Sequence, residues 1–172
     1  MTGDIMHRFE FSPELETGNE DIDSHHQTLF AMANEILFSA EMEGSPEQFR
    51  RAVTFLVSYL EYHFASEEMA MLELRYTSRR FHAAFHDHIR RQAKEIAKSL
   101  GRKDGFEETR SAIFFMLEDW AVYHVPGADR QLAAYMREQT PSEKRPRLPD
   151  IHPRTPSPVT LHPMPVGVAG HA

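Results

Sequence analysis

Five histidines and two carboxylates, His26, His63, Glu67, His82, His86, His124 and Asp129, stand at spacings that suit one two-metal site inside a helical bundle. They fall in four short segments: IDSHHQTLF from Ile22, HFASEE from His63, HAAFH from His82 and WAVYHVPGAD from Trp120. Residues four apart on a helix project from one face. His63 with Glu67 makes one such pair and His82 with His86 another. One pair offers only two donors, too few to hold a transition metal firmly. Two pairs on facing helices, joined by single histidines from two further helices, close a cage of the kind that bundles use for metals.

Each residue also has a plainer reading. A lone histidine on an apolar helix face is more often a hydrogen-bonded core residue than a ligand. Glu67 on such a face is harder to explain, because an unpaired buried carboxylate is costly and calls for a cation. All seven on the interior of one bundle favour the metal. The other histidines serve as a comparison. His7 lies near the start of the chain, and His88 follows His86 by two and points away from its face. His25 cannot share the direction of His26, which stands three before Leu29 and four before Phe30 on the apolar stripe. His26 is therefore the candidate ligand, and His25 is left beside the site or at the surface. Glu68, next to Glu67, is expected to meet solvent.

Composition narrows the chemistry. The 172-residue chain has a formal charge of −7 and no cysteine. A basic nucleic-acid footprint is absent, and disulfides, iron–sulfur clusters and thiolate metal sites are excluded. Histidine, carboxylate and water suit iron, zinc, copper, nickel or manganese. A structural zinc site uses about four ligands, fewer than the seven on offer. No apolar run resembles a signal peptide or reaches the length of a membrane span, so no membrane and a cytoplasmic location are expected.

The elements that must position these donors are legible as helices. Residues 1–20 read as an extended arm. A first helix begins near Asp21 or Asp23, with Ile22, Leu29, Phe30, Ala33, Ile36 and Leu37 at three-and-four spacing. Ser45-Pro46 starts a second helix, which runs to about Glu73. A third spans about Phe81 to Leu100. A fourth opens after Asp104-Gly105 and carries Trp120 and His124. Pro126-Gly127 is expected to interrupt it, with a short helix from Ala128 to about Glu138 beyond. The expected fold is all-α: an up-down-up-down four-helix bundle with an N-terminal arm, a short C-terminal helix and a disordered tail. The domain is expected over 1–139 and the tail over 140–172, where eight of the eleven prolines fall and too few apolar residues remain to build a core. The tail's His152, His162 and His171 are expected to be solvated. The tail itself would suit a protein partner.

These motifs resemble the hemerythrin family, its bacterial members in particular, over about residues 9–138. Ile22-Asp23-Ser24-His25-His26 precedes Leu29-Phe30, and Asn34 follows eight residues after His26. His63, Phe64, Glu67, Glu68 and Met71 match one family motif, His82 and His86 with Tyr76 upstream a second, and Trp120, His124 and Asp129 a third. The resemblance implies two iron ions per chain, joined by an oxo or hydroxo bridge. His82, His86 and His124 would hold one ion, His26 and His63 the other, and Glu67 and Asp129 would bridge both. It implies reversible binding of dioxygen for storage, delivery or sensing. Departures from the family pattern include Phe11, His25, Thr77, Pro126 and Ala121, the last of which would widen the oxygen pocket. Imidazole-rich donor sets supply less charge than carboxylate-rich ones, which suits binding of O2 rather than its activation. Leu29, Phe64, Trp120 and Val125 are expected to line the pocket and exclude water. No further acid, base or substrate pocket is evident, so a non-enzyme is expected. A redox enzyme acting on peroxide, nitric oxide or iron, or a sensor acting through a partner, is the alternative.

Overall fold

The computed structural model describes residues 8–38, 45–100 and 105–139. Four helices carry the fold: α1 (Glu20–Phe38), α2 (Pro46–Glu73), α3 (Arg79–Ser99) and α4 (Phe106–Asp119). A π-helical stretch, Trp120–Asp129, extends α4 and leads into α5 (Arg130–Gln139). Each helix packs on the next, and α4 closes the ring against α1. This is the expected antiparallel bundle, and no strand occurs among the described residues. No described helix is long and apolar enough to cross a membrane.

Local chemistry sets the ends. Asn19, rather than Asp21 or Asp23, caps α1, its Oδ1 accepting from the Asp21 and Ile22 amides at 3.1 and 3.2 Å. Asp23 instead reaches back, accepting from the Thr17 amide and hydroxyl, each at 2.8 Å, and from the Gly18 amide at 3.1 Å. Gly18 turns with φ +78°, and a Cβ there would stand 2.9 Å from the Arg137 guanidinium. The Ser45 hydroxyl and Pro46 open α2 as the sequence implies.

The main departure from expectation lies at Pro126-Gly127. These residues do not interrupt the fourth helix, because the chain widens to π-helical winding and absorbs them. Bonding from i to i+5 leaves room for a residue with no N–H. The arm is pinned by a reciprocal pair, Phe9 amide to Asn34 Oδ1 and Asn34 Nδ2 to the Phe9 carbonyl, both 2.8 Å. The Phe9 ring stacks on Phe30 at 5.6 Å, and a short 3-10 turn forms at Pro13–Leu15. Arg130 ties the arm through the Glu14 and Glu16 carbonyls. The expected disordered tail at 140–172, with its three histidines, and His7 lie outside the described residues.

Two apolar clusters fill the interior. The larger runs between the four helices and includes Leu29, Phe64, Ile89, Trp120 and Val125. The smaller joins Ile22, Ala70, Met71 and Tyr76 to Leu132, Ala133 and Met136 of α5. On α1 and α2, polar residues separate the two clusters: His26 lies between Ile22 and Leu29, and Glu67 between Phe64 and Ala70. A layer of buried donors thus crosses the bundle between two apolar zones.

Candidate metal centre

All seven candidate donors are buried, with exposures of 3% or less. Helix α1 supplies His26, α2 supplies His63 and Glu67, α3 supplies His82 and His86, and the π-helical stretch supplies His124 and Asp129. The last pair explains the winding. Residues five apart on an α-helix diverge by about 140°, whereas i to i+5 bonding stacks them, and so His124 and Asp129 face inward together.

The donors gather in two groups that share both carboxylates. Glu67, His82, His86, His124 and Asp129 form one, and His26, His63, Glu67 and Asp129 the other, each with its donor atoms within 4.8 Å of one another. His82 Nε2 lies 3.1 Å from both Glu67 Oε2 and Asp129 Oδ1. His86 Nε2 is 3.2 Å from Glu67 Oε2 and 3.0 Å from His124 Nε2. His124 Nε2 is 2.9 Å from Asp129 Oδ1, and His26 Nε2 is 3.2 Å from Asp129 Oδ2. Two donors each about 2.1 Å from one ion, at right angles to one another, stand about 3 Å apart. The spacings given above match that, and His63 Nε2 stands wider, 3.9 Å from Glu67 Oε1.

The residues also fit a cation by what they lack. His26 Nε2, His63 Nε2, Glu67 Oε1 and both Asp129 oxygens are buried without a partner in hydrogen-bond geometry, although histidine nitrogens stand within ion-pair distance of the carboxylates. Orphaned buried polar atoms are rare because each costs free energy. Among the described residues every ion-pair partner of Glu67 and Asp129 is a histidine. Burial resists charge on the two carboxyl groups, yet the surrounding histidines hold both below the usual carboxylate range. Burial drives the His63 imidazole down to about 3. It opposes charge on His82 too, but Asp129 and Glu67 outweigh it and raise that imidazole to about 10. Metal ions would supply the positive charge that the two carboxylates demand.

The walls are aromatic and aliphatic. Trp120 stands edge-on to His26 and His63, at 4.9 and 5.9 Å between ring centres. Phe64 stacks on His86 at 4.0 Å, and Leu29 and Val125 are fully buried in the same cluster. Ala121 is buried where Phe9, Phe30, Val122 and Pro126 line a groove under the arm. His25 is buried, packed against Tyr59, Tyr62 and the His63 ring rather than at the surface. His88 is exposed, as expected.

One expectation fails. Glu68 does not simply meet solvent: half-buried, it accepts from His86 Nδ1 at 2.9 Å and from Arg90 at 2.8 Å. Arg90 lies one turn after His86 on α3, and that spacing was the signal for it. Phe85, stacked on His124 at 4.3 Å, is a further wall residue that spacing did not single out.

A buried histidine–carboxylate centre in an antiparallel bundle defines a class of cation-binding protein. Residues 17–136 match the family described as the hemerythrin HHE cation binding domain, and the chain belongs to that family. It is 28% identical to a bacteriohemerythrin of Methylococcus capsulatus over 108 residues, which is 63% of this chain and 80% of the relative. No solved structure matches it.

Proposed function

We propose that this chain is a non-haem di-iron protein that binds dioxygen reversibly, for storage, delivery or sensing. The observation that carries this reading is the pair of donor groups sharing Glu67 and Asp129. His82, His86 and His124 would hold one ion, His26 and His63 the other, and Glu67 and Asp129 stand where both could share them. Seven donors exceed what a structural zinc site uses. Iron, when bound, would supply the reversible redox chemistry that dioxygen binding requires. The group with His26 and His63 has one donor fewer than the other, so a small ligand would be taken up on that side.

The chain's own residues do the rest. Glu67 and Asp129 balance the metal charge in a site that water does not reach. Leu29, Phe64, Trp120 and Val125 are fully buried and keep the surroundings apolar, which would exclude water from a bound ligand. The bacteriohemerythrin relative supports the oxygen-binding reading through its name. A carrier or sensor is favoured over a redox enzyme because the donor set is richer in imidazole than in carboxylate, which suits binding of O2 rather than its activation.

The test is an absorption spectrum of iron-loaded, anaerobically reduced protein before air, after air and after argon purging. Charge-transfer bands that rise with air and vanish on purging are expected. Immediate conversion to a stable diferric spectrum would overturn reversible binding and favour a redox enzyme.

A further inference from the structure

The five candidate donor histidines are not equivalent beyond the metal. His26, His63, His82 and His124 each bury Nδ1 without a hydrogen-bond partner. His86 differs: its Nδ1–H donates to the Glu68 carboxylate at 2.9 Å. With Nδ1 committed to Glu68, Nε2 is the nitrogen left for a metal, and it faces Glu67 and His124.

Glu68 is itself held. Arg90 donates to it at 2.8 Å and is anchored by two bonds to Glu61, at 2.6 and 3.0 Å. The guanidinium sits 5.5 Å from the centre of the Phe64 ring, whose opposite role is to stack on His86 at 4.0 Å and 15°. Glu68, Arg90 and Phe64 thus clamp one ligand ring, and the chain of contacts runs from the buried centre to the exposed Glu61.

We propose that Glu68 is a positioning residue that strengthens electron donation by His86 to one ion of the pair, and that Arg90 is its counterweight. The inference rests on the di-iron reading above. A carboxylate on the far nitrogen makes an imidazole a stronger donor. The positive charge of Arg90 draws density back from that carboxylate. The ion served by His82, His86 and His124 is therefore the more readily oxidised of the two, because among the described residues the ion served by His26 and His63 has no such support.

The two residues must act with opposite sign, and packing alone would not produce that. Full-length protein is titrated with cobalt(II), a probe independent of oxygen, and the iron-loaded form is titrated potentiometrically. Wild type is expected to take up two ions. Glu68→Gln should still take up two, with one site weakened about tenfold or more, and should raise the midpoint of one iron only. Arg90→Gln should lower that same midpoint. An unchanged Glu68→Gln, or shifts of the same sign in both variants, overturns the inference and leaves the di-iron reading intact. If Glu68→Gln does not fold, Arg90→Gln decides: a lowered midpoint supports the inference, and an unchanged or raised one overturns it. Wild type that takes up no pair of ions overturns the di-iron reading and this inference with it.

Discussion

At the scale of single residues, the two carboxylates differ from the five histidines because each belongs to both donor groups. Losing one histidine removes a donor from one group. Losing Glu67 removes a donor from both, together with a negative charge that holds the positive centre. Glu67→Ala is therefore expected to drop metal content from two ions per chain to one or none, read by elemental analysis after reconstitution, while His88→Ala leaves it unchanged. Retention of two ions by Glu67→Ala would refute the ligand assignment. His88 is the right control because it shares α3 with His82 and His86 but is exposed.

At the scale of elements, one feature sets the register of the donors and another covers them. One is the π-helical winding of Trp120–Asp129, which brings His124 and Asp129 to one face. The other is the arm, whose Phe9 backbone is bonded twice to Asn34 and whose ring packs on Phe30 and Phe114. Phe30 in turn touches Trp120, which walls the centre. Asn34→Ala removes both partners of the Phe9 backbone, a loss of about 2 kcal/mol at roughly 1 kcal/mol per bond. Chemical denaturation should show that loss with metal content unchanged, because the Asn34 side chain is spent on the Phe9 backbone, about two turns along α1 from His26. Metal loss in Asn34→Ala would mean that the arm shapes the centre and does not merely cover it.

At the scale of the whole molecule, the bundle places a polar layer where other bundles have apolar packing. Two buried carboxylates and five buried histidines lower the stability of the metal-free fold, since their desolvation is only partly offset by one another. Metal binding to the native state then adds stability by mass action, about 4 kcal/mol at a thousandfold excess over the dissociation constant. For a chain of this size that is a rise of about 10 °C in melting temperature. Chelation is expected to lower the melting temperature by that order and metal to restore it, followed by calorimetry. No change on chelation would place the metal outside the folding equilibrium and count against a buried centre.

Spacing along the chain determined a good deal by itself. The pairs His63/Glu67 and His82/His86 declare their faces through helical periodicity alone, and the three-and-four apolar stripes around them declare four helices. Neighbours in sequence also favoured His26 over His25 as the candidate, because adjacent helical residues diverge by about 100°. What periodicity does not carry is contact between helices. That the donors form two groups sharing Glu67 and Asp129, that Glu68 turns to His86, and that His25 packs against Tyr59 and Tyr62 are decided by how α1, α2 and α3 meet. The cap at Asn19 and the π-helical winding through Pro126 escaped for a related reason. Asp21 and Asp23 are equally good caps on local grounds, and a proline with a glycine ordinarily ends a helix. Only tertiary demands reversed both. Asp23 is drawn away to tie down the arm, and burying His124 and Asp129 on one face requires a wider turn than local preference would select.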